Sequence, residues 1–152
     1  MDTKIWTEES DRYTKRAIKL YGNELYKNSD RNELFINIRK FIEEPENILD
    51  VGCSFGASIN ALKDKFPSAS FYGIDPGKES IEMANENLDI ENIYFTNGFS
   101  HELPYENNKF DVIIFSMVFQ WIPRKYLIRT ISEIDRVLKI GGIVYIQDFL
   151  TN

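Results

Sequence analysis

The alternation of short apolar segments with helical patterns restricts the fold of this chain more than any other feature of its sequence. The segments NILDV, SFYGID, NIYFT, FDVIIFS and GIVYIQDFL are predicted strands, and residues 56–66, 77–88 and 123–138 are predicted helices between them. This order is typical of an α/β protein with a doubly wound parallel sheet and helices on both faces. Ligands bind to such sheets at the carboxyl ends of the strands, where the strand order reverses.

Two further helical segments, residues 8–21 and 30–42, precede the first predicted strand. A chain of 152 residues with 43% apolar residues is long enough to build one hydrophobic core. We therefore expect one domain overall, in which residues 1–44 form an N-terminal helical cap and residues 45–152 form the ligand-binding core.

The composition argues against several kinds of partner. The chain has 18 Lys and Arg residues against 24 Asp and Glu residues, so a nucleic-acid or anionic-membrane partner, which needs a basic face, is disfavoured. One cysteine and one histidine cannot form an intramolecular disulfide or a Cys/His metal cluster. The sequence also contains no signal-peptide core and no apolar run long enough to span a membrane. We expect a cytoplasmic protein that works without a metal ion.

The turn after the first predicted strand, DVGCSFG, is the first candidate binding feature. Gly52 and Gly56 carry no Cβ, so a ligand can approach the backbone closely, and the N–H groups of the loop are expected to point outward. Asp75 ends the next strand, where a carboxylate can accept two hydrogen bonds from a ribose diol. Loop and acid together predict an adenosine-containing ligand. A dinucleotide fingerprint matches only in part, because positions 52, 54 and 57 read Gly, Ser and Ala.

From Asn47 to Phe149 the sequence resembles the class I S-adenosylmethionine-dependent methyltransferases. DVGCSFG resembles the first motif of that family, an acidic residue followed by G-x-G-x-G, with Ser54 in place of the middle glycine. The later segments that resemble the family, in order, are YGIDPGKESIEMA, NGFSHELPYENNKFDVIIFSMVFQWI and EIDRVLKIGGIVYIQD. The resemblance implies a Rossmann-like sheet of five strands in the order 3-2-1-4-5.

The same resemblance implies that the ligand is S-adenosyl-L-methionine, with S-adenosyl-L-homocysteine as the product and no metal. Asp75 would bind the ribose hydroxyls and Pro76 would lie beside the adenine. Where the family commonly has Gly-Asp-Ala, this chain has Gly98, Phe99 and Ser100, so Phe99 would pack on the adenine face and the Ser100 N–H would reach a ring nitrogen. The predicted cofactor-binding residues are Asp50, Gly52, Cys53, Ser54, Gly56, Asp75, Pro76, Gly98, Phe99, Ser100, Ser116 and Met117.

The expected reaction is an in-line methyl transfer to a small-molecule acceptor, in which the protein aligns the reactants and excludes water. FQWIP resembles a segment of the trans-aconitate and malonyl-carrier-protein O-methyltransferases, which methylate carboxylates. The acceptor is predicted to be a carboxylate or a hydroxyl. The candidate general bases His101, Asp148, Tyr13 and Tyr21 form no recognisable pair, and no catalytic residue is assigned. His101 is expected to be an exposed loop residue.

Two other functions stay open at this point. One is a non-catalytic S-adenosylmethionine-binding module that acts through a partner chain, and the other is an NAD(P)-dependent oxidoreductase. Trp6, Tyr13 and Tyr21 of the first helix either close over the cofactor or simply pack on the sheet.

The family usually continues past the fifth strand into a helix and an antiparallel strand pair, but this chain stops at Asn152. We therefore expect the C-terminal antiparallel strands to be missing and the fifth strand to form an open apolar edge. Natural proteins usually cover, charge or pair such an edge. The prediction is a longer protein, a partner chain that completes the sheet, or a homodimer joined edge to edge.

Overall fold

The structure, a computed structural model, describes residues 3–21 and 32–148. Residues 30 and 31, where the second predicted helix would begin, lie outside the described residues. The elements that precede the sheet are α1 (Thr3–Tyr21) and α2 (Asn32–Arg39). The remaining elements are β1 (Asn47–Val51), α3 (Ala57–Leu62), β2 (Ser70–Asp75), α4 (Lys78–Asn87), β3 (Ile93–Asn97), β4 (Phe110–Ser116), a single 3-10 turn (Phe119–Trp121), α5 (Arg124–Val137) and β5 (Leu138–Gln147).

The five strands form one sheet in the order β3-β2-β1-β4-β5, and all four neighbouring pairs are parallel. This confirms the predicted five-stranded parallel sheet and its strand order. The chain runs outward from β1 to β3 and then crosses to β4 and β5, so the strand order reverses between β1 and β4. The described residues add no antiparallel strand to the sheet. The carboxyl ends of β1 and β4 therefore flank the point where ligands bind in this class of sheet.

Side chains alternate between the two faces of the sheet and build one hydrophobic cluster on each. In β4, Ile113 and Phe115 face one cluster while Val112 and Ile114 face the other. Helices cover both faces, as predicted. The first cluster contains Trp6 of α1 with Ile134 and Val137 of α5, and the second contains Leu34 and Ile38 of α2 with Ile59 and Leu62 of α3.

The fifth strand begins earlier than its sequence pattern indicates. The pattern predicts a strand over residues 142–150, but Leu138 already pairs with Phe110, so β5 follows α5 without a loop. The register between β4 and β5 shifts between Phe110 and Val112, which accommodates Gly141 at a φ of 82°. β5 lies at the edge of the sheet, and its Ile140 is fully exposed.

Among the helices that the structure describes, none combines the length and the apolar character needed to cross a bilayer. The cytoplasmic location stays a prediction. The division into a cap of residues 1–44 and a core of residues 45–152 also stays a prediction, although α1 and α2 lie in different places. α2 packs against the second hydrophobic cluster, on one face of the sheet. α1 lies at the carboxyl ends of the strands, where its Ser10 contacts Asp75.

Candidate functional site

A cavity of about 420 Å³ opens at the carboxyl ends of β1, β2 and β4, next to the point where the strand order reverses. Ten of the twelve predicted cofactor-binding residues line it, and Gly56 and Phe99 do not. The ten are Asp50, Gly52, Cys53, Ser54, Asp75, Pro76, Gly98, Ser100, Ser116 and Met117. The sheet topology thus brings together four loops that are distant in sequence.

The turn after β1 depends on left-handed backbone conformations. Gly52 has a φ of 73°, Ser54 of 48° and Gly56 of 85°. A Cβ at Gly52 would lie 2.5 Å from Val118, and a Cβ at Gly56 would lie 2.8 Å from the ring of Phe95. The space that these glycines leave open is therefore occupied by the side chains of Val118 and Phe95. Gly56 serves the packing behind the loop.

The N–H groups of this turn differ from the expectation that they point outward. Gly52 N and Cys53 N donate to the Ile74 carbonyl at 2.8 and 3.2 Å, and Gly56 N donates to the Cys53 carbonyl at 2.9 Å. Ser54 N donates to Asp75 Oδ2 at 2.9 Å. The expectation was wrong for these four groups, because the sharp turn folds the loop back onto the end of β2 and, at Gly56, onto the turn itself. Buried amides need a partner, and here the protein itself supplies one.

Asp75 is the polar centre of the site and is only 3% exposed. Its Oδ1 accepts hydrogen bonds from Gly77 N at 2.8 Å and from the hydroxyl of Ser10, and its Oδ2 accepts from Ser54 N. Burial raises the pKa of Asp75, and the hydrogen bonds from Ser10, Gly77 and Ser54 oppose that rise because they favour the ionised form. One carboxylate thus joins the turn after β1, the start of α4 and the helix α1.

Helix α1 forms a wall of the cavity, which is one of the two roles left open for its aromatic residues, but its polar contacts were not predicted. Its Thr14 Oγ1 lies 2.6 Å from Ser54 Oγ and 2.7 Å from Ser80 Oγ. Asp11 Oδ1 accepts a hydrogen bond from Ser80 N at 3.2 Å. The signal that points to this face is the spacing of Trp6, Ser10, Thr14 and Ala17, which lie on one largely buried side of the helix. The α1 residues that line the cavity are Trp6, Glu9, Ser10, Arg12, Tyr13 and Arg16.

An aromatic cluster next to the cavity holds the start of α1. Trp6 packs on Phe99 with ring centroids 5.3 Å apart and on His101 at 5.9 Å, and His101 stacks on Tyr126 at 4.0 Å. Phe99 therefore belongs to this cluster, whereas we expected it against the adenine. Trp6 both lines the cavity and packs in the core.

His101 is 6% exposed, so the expectation of an exposed loop residue was wrong. The reason is the stacking of its ring within the aromatic cluster. Burial lowers the pKa of His101, and the positive charges of Arg129 and Lys125 lower it further, against an opposing effect of Glu102. The ring is therefore neutral near pH 7.

The other titratable candidates take different places. Asp148 Oδ2 accepts a hydrogen bond from Gln120 N at 3.3 Å, and Tyr13 lies at the cavity wall with 58% of its surface exposed. The side chain of Tyr21 lies outside the described residues. Cys53 is buried, and burial together with the nearby Asp75 and Asp50 raises the pKa of its thiol well above the usual value. The thiol thus stays protonated and unreactive.

Two observations complete the chemistry of the site. Asp50 and Asp75 are both among the residues that line the cavity, and Asp50 is 1% exposed near the end of β1. Within residues 3–21 and 32–148, no group of three or more His, Cys, Asp or Glu side chains is placed to hold a metal ion.

Comparison with known proteins gives a family for the core of the chain. Residues 48–142, more than half of the chain, match the family described as methyltransferase domain. The matched range begins in β1 and ends in β5, so it contains every loop of the cavity except the wall formed by α1.

Two curated relatives of the chain are methyltransferases with different names for their acceptors. The chain is 29% identical over 111 residues to malonyl-[acyl-carrier protein] O-methyltransferase of Halalkalibacterium halodurans, which covers 70% of this chain and 40% of that protein. It is 36% identical over 98 residues to demethylmenaquinone methyltransferase of Staphylococcus aureus, which covers 63% of this chain and 40% of that protein. The chain thus spans less than half the length of these relatives.

A solved structure has the same fold. The chain superposes with a TM-score of 0.74 on a proposed S-adenosyl-L-methionine-dependent methyltransferase of Methanococcus maripaludis. The match covers 93% of this chain and 63% of that one at 24% sequence identity. Likeness at this level of identity establishes the architecture.

Proposed function

The chain belongs to the methyltransferase domain family, and on that premise we propose that its cavity binds S-adenosyl-L-methionine and that the protein transfers a methyl group to a small-molecule acceptor. The observation that carries the proposal is the buried carboxylate of Asp75 on the wall of a cavity at the reversal of strand order. Family membership favours this cofactor over a nicotinamide dinucleotide, for which the glycine pattern matches only in part.

The residues of the cavity fit this cofactor. A volume of about 420 Å³ falls in the range of cofactor sites. Asp75 would accept hydrogen bonds from the ribose, and Pro76, Gly98 and Ser100 would border the adenine. The hydrogen bonds to Asp75 favour its ionised form, and a carboxylate in that form favours a cationic ligand. When bound, S-adenosyl-L-methionine supplies a methyl group that is activated by a sulfonium centre.

The chain's own residues would position the acceptor and exclude water. α1 and the segment from Met117 to Trp121 form the walls of the cavity around the cofactor loops. Arg12 and Arg16 of α1 line the cavity, and Arg12 also forms an ion pair with Glu9. Their positive charge favours an acceptor that carries a carboxylate, as in the malonyl relative. A carboxylate is ionised at neutral pH, so its methylation requires no general base.

The first test is the affinity of the purified chain for S-adenosylhomocysteine, measured by isothermal titration calorimetry with NADH as the control ligand. We expect binding of S-adenosylhomocysteine only, and Asp75→Ala should weaken it at least tenfold, about 1.4 kcal/mol. Asp64→Ala, a change of the same kind at an exposed carboxylate, should leave the affinity unchanged. Binding of NADH, or equal affinities of the two variants, would contradict the assignment of the site.

A second test separates catalysis from binding alone. The chain is incubated with S-adenosyl-L-methionine that carries an isotopically labelled methyl group and with a panel of small carboxylates and alcohols. Labelled methyl ester or ether would support the methyltransferase. Cofactor binding without transfer to any acceptor would favour the binding module that acts through a partner chain.

A further inference from the structure

We infer that Ser10 of α1 occupies the place on Asp75 that a ribose hydroxyl takes, so that α1 and the cofactor compete for one carboxylate. This inference rests on the proposed function, because it assumes that Asp75 binds the ribose. It makes Ser10 a residue that sets the affinity of the cofactor site.

The carboxylate of Asp75 already accepts most of the hydrogen bonds that it can accept. An ionised Asp offers about four acceptor positions on its two oxygens. Three are taken, by the N–H groups of Gly77 and Ser54 and by the hydroxyl of Ser10. The two N–H groups belong to the turns that build the site and cannot leave without unfolding them. The Ser10 hydroxyl is the same chemical group as a ribose hydroxyl and is the exchangeable donor.

A ribose diol in the cavity would meet the carboxylate of Asp75 with little room left on it. Asp75 is 3% exposed, and Ser10, Ser54 and Asp75 all line the cavity. A ribose diol brings two hydroxyl groups, but the three existing donors leave only about one acceptor position on Asp75. The second hydroxyl can bind only where Ser10 binds now. Full recognition of the diol therefore requires the Ser10 hydroxyl to turn away.

Other contacts hold α1 in place while the Ser10 hydroxyl turns away. Thr14 contacts Ser54 and Ser80, and Asp11 accepts a hydrogen bond from Ser80 N. Lys15 pairs with Glu79 at 2.6 Å. Since these contacts do not involve Asp75, α1 stays attached while Ser10 changes rotamer. The wall of the cavity stays in place, and the Ser10 hydroxyl competes with the ribose for Asp75.

The test compares affinities for S-adenosylhomocysteine by calorimetry in four proteins, which are the wild type, Ser10→Ala, Ser10→Thr and Lys15→Gln. Ser10→Ala removes the competing hydroxyl and should bind about three- to tenfold more tightly, the size expected for one hydrogen bond. Ser10→Thr keeps a hydroxyl beside Asp75 and should not show this gain in affinity. Lys15→Gln loosens α1 without freeing Asp75 and should also bind like the wild type, which separates competition from general loosening of the helix.

A pair of nucleosides locates the effect at the ribose. Removal of both hydroxyls, from adenosine to 2′,3′-dideoxyadenosine, should cost more affinity in Ser10→Ala than in the wild type, because only the variant has both positions on Asp75 available. A Ser10→Ala variant that keeps the circular dichroism of the wild type but binds S-adenosylhomocysteine equally or more weakly would overturn the inference. Absence of S-adenosylhomocysteine binding in all four proteins would instead overturn the proposed function, and the inference with it.

Discussion

At Gly52, backbone conformation and packing impose the same requirement. The residue has a φ of 73°, which costs an L-residue about 1 kcal/mol, and a Cβ would lie 2.5 Å from Val118. Gly141 provides a matched control because its φ is 82° and nothing lies within 4 Å of its Cβ position.

We expect Gly141→Ala to lower the free energy of unfolding by about 1 kcal/mol and Gly52→Ala to lower it by about 2–4 kcal/mol, since overpacking adds to the backbone cost. Urea denaturation of the two variants measures both values. Equal losses would show that Val118 moves aside at no cost and that only the backbone conformation requires glycine.

His101 should make the stability of the protein depend on pH. It is the single histidine of the chain, and burial among Trp6, Phe99 and Tyr126 lowers its pKa in the folded state. The unfolded chain therefore binds a proton at a pH where the folded protein does not. The free energy of unfolding should fall as the pH drops below about 6.5 and through the folded pKa of His101.

The measurement is urea denaturation of the wild type and of His101→Phe at pH 7.5 and 5.5. The Phe ring keeps the aromatic packing but cannot bind a proton, so this variant should lose less stability between the two pH values. Equal losses in both proteins would assign the pH dependence to other groups, such as the carboxylates.

At the scale of elements, Arg136 attaches the loop after β3 to α5. Its Nη1 donates to the Tyr105 carbonyl at 2.7 Å and its Nη2 to the Leu103 carbonyl at 2.9 Å, while Glu133 accepts from Leu103 N at 2.8 Å. The same loop carries Gly98 and Ser100 into the cavity. α5 thus fixes one side of the site through a planar guanidinium.

Arg136→Lys should lower the free energy of unfolding by about 1–3 kcal/mol, because an ammonium cannot reproduce the fork of hydrogen bonds to two carbonyls and a carboxylate. Arg129→Lys, the same change at an exposed position of α5, should have little effect. Thermal and urea denaturation of the two variants provide the comparison. Similar stabilities would mean that lysine or water satisfies the carbonyls of the loop equally well.

At the scale of the whole molecule, β5 is an edge strand of the sheet that the described residues form, and its Ile140 is 100% and its Ile146 is 55% exposed. Exposed apolar edges of this kind favour association through added strands. We expect the purified chain to self-associate as its concentration rises, and the double variant Ile140→Lys, Ile146→Lys to shift toward monomer.

Sedimentation velocity over a range of concentrations measures this shift. Ile90→Lys, which adds a lysine at a 46% exposed position near the opposite edge, should leave the association unchanged. A wild-type chain that stays monomeric at its highest soluble concentration would contradict edge-to-edge association and leave a longer protein or a partner chain as the predictions for this edge.

The sequence by itself determined the five strands, the helices between them and the place of the cavity. These features follow from local patterns, since apolar runs bounded by glycine and proline define strands and crossover helices, and parallel strands put their carboxyl ends on one edge. Gly52 and Asp75 could be predicted as site residues because each stands at the end of such a strand.

Only the tertiary structure decided how the site is finished. Ser10 and Asp75 are 65 residues apart in the chain, and Thr14 and Ser80 are 66 apart, so no local pattern predicts these contacts between α1 and the cavity loops. The burial of His101 and the packing of Gly56 behind the loop likewise depend on rings and side chains from distant elements. Hydrogen bonds and aromatic packing act over a few ångströms, so these partners are set only when the sheet has brought remote segments together.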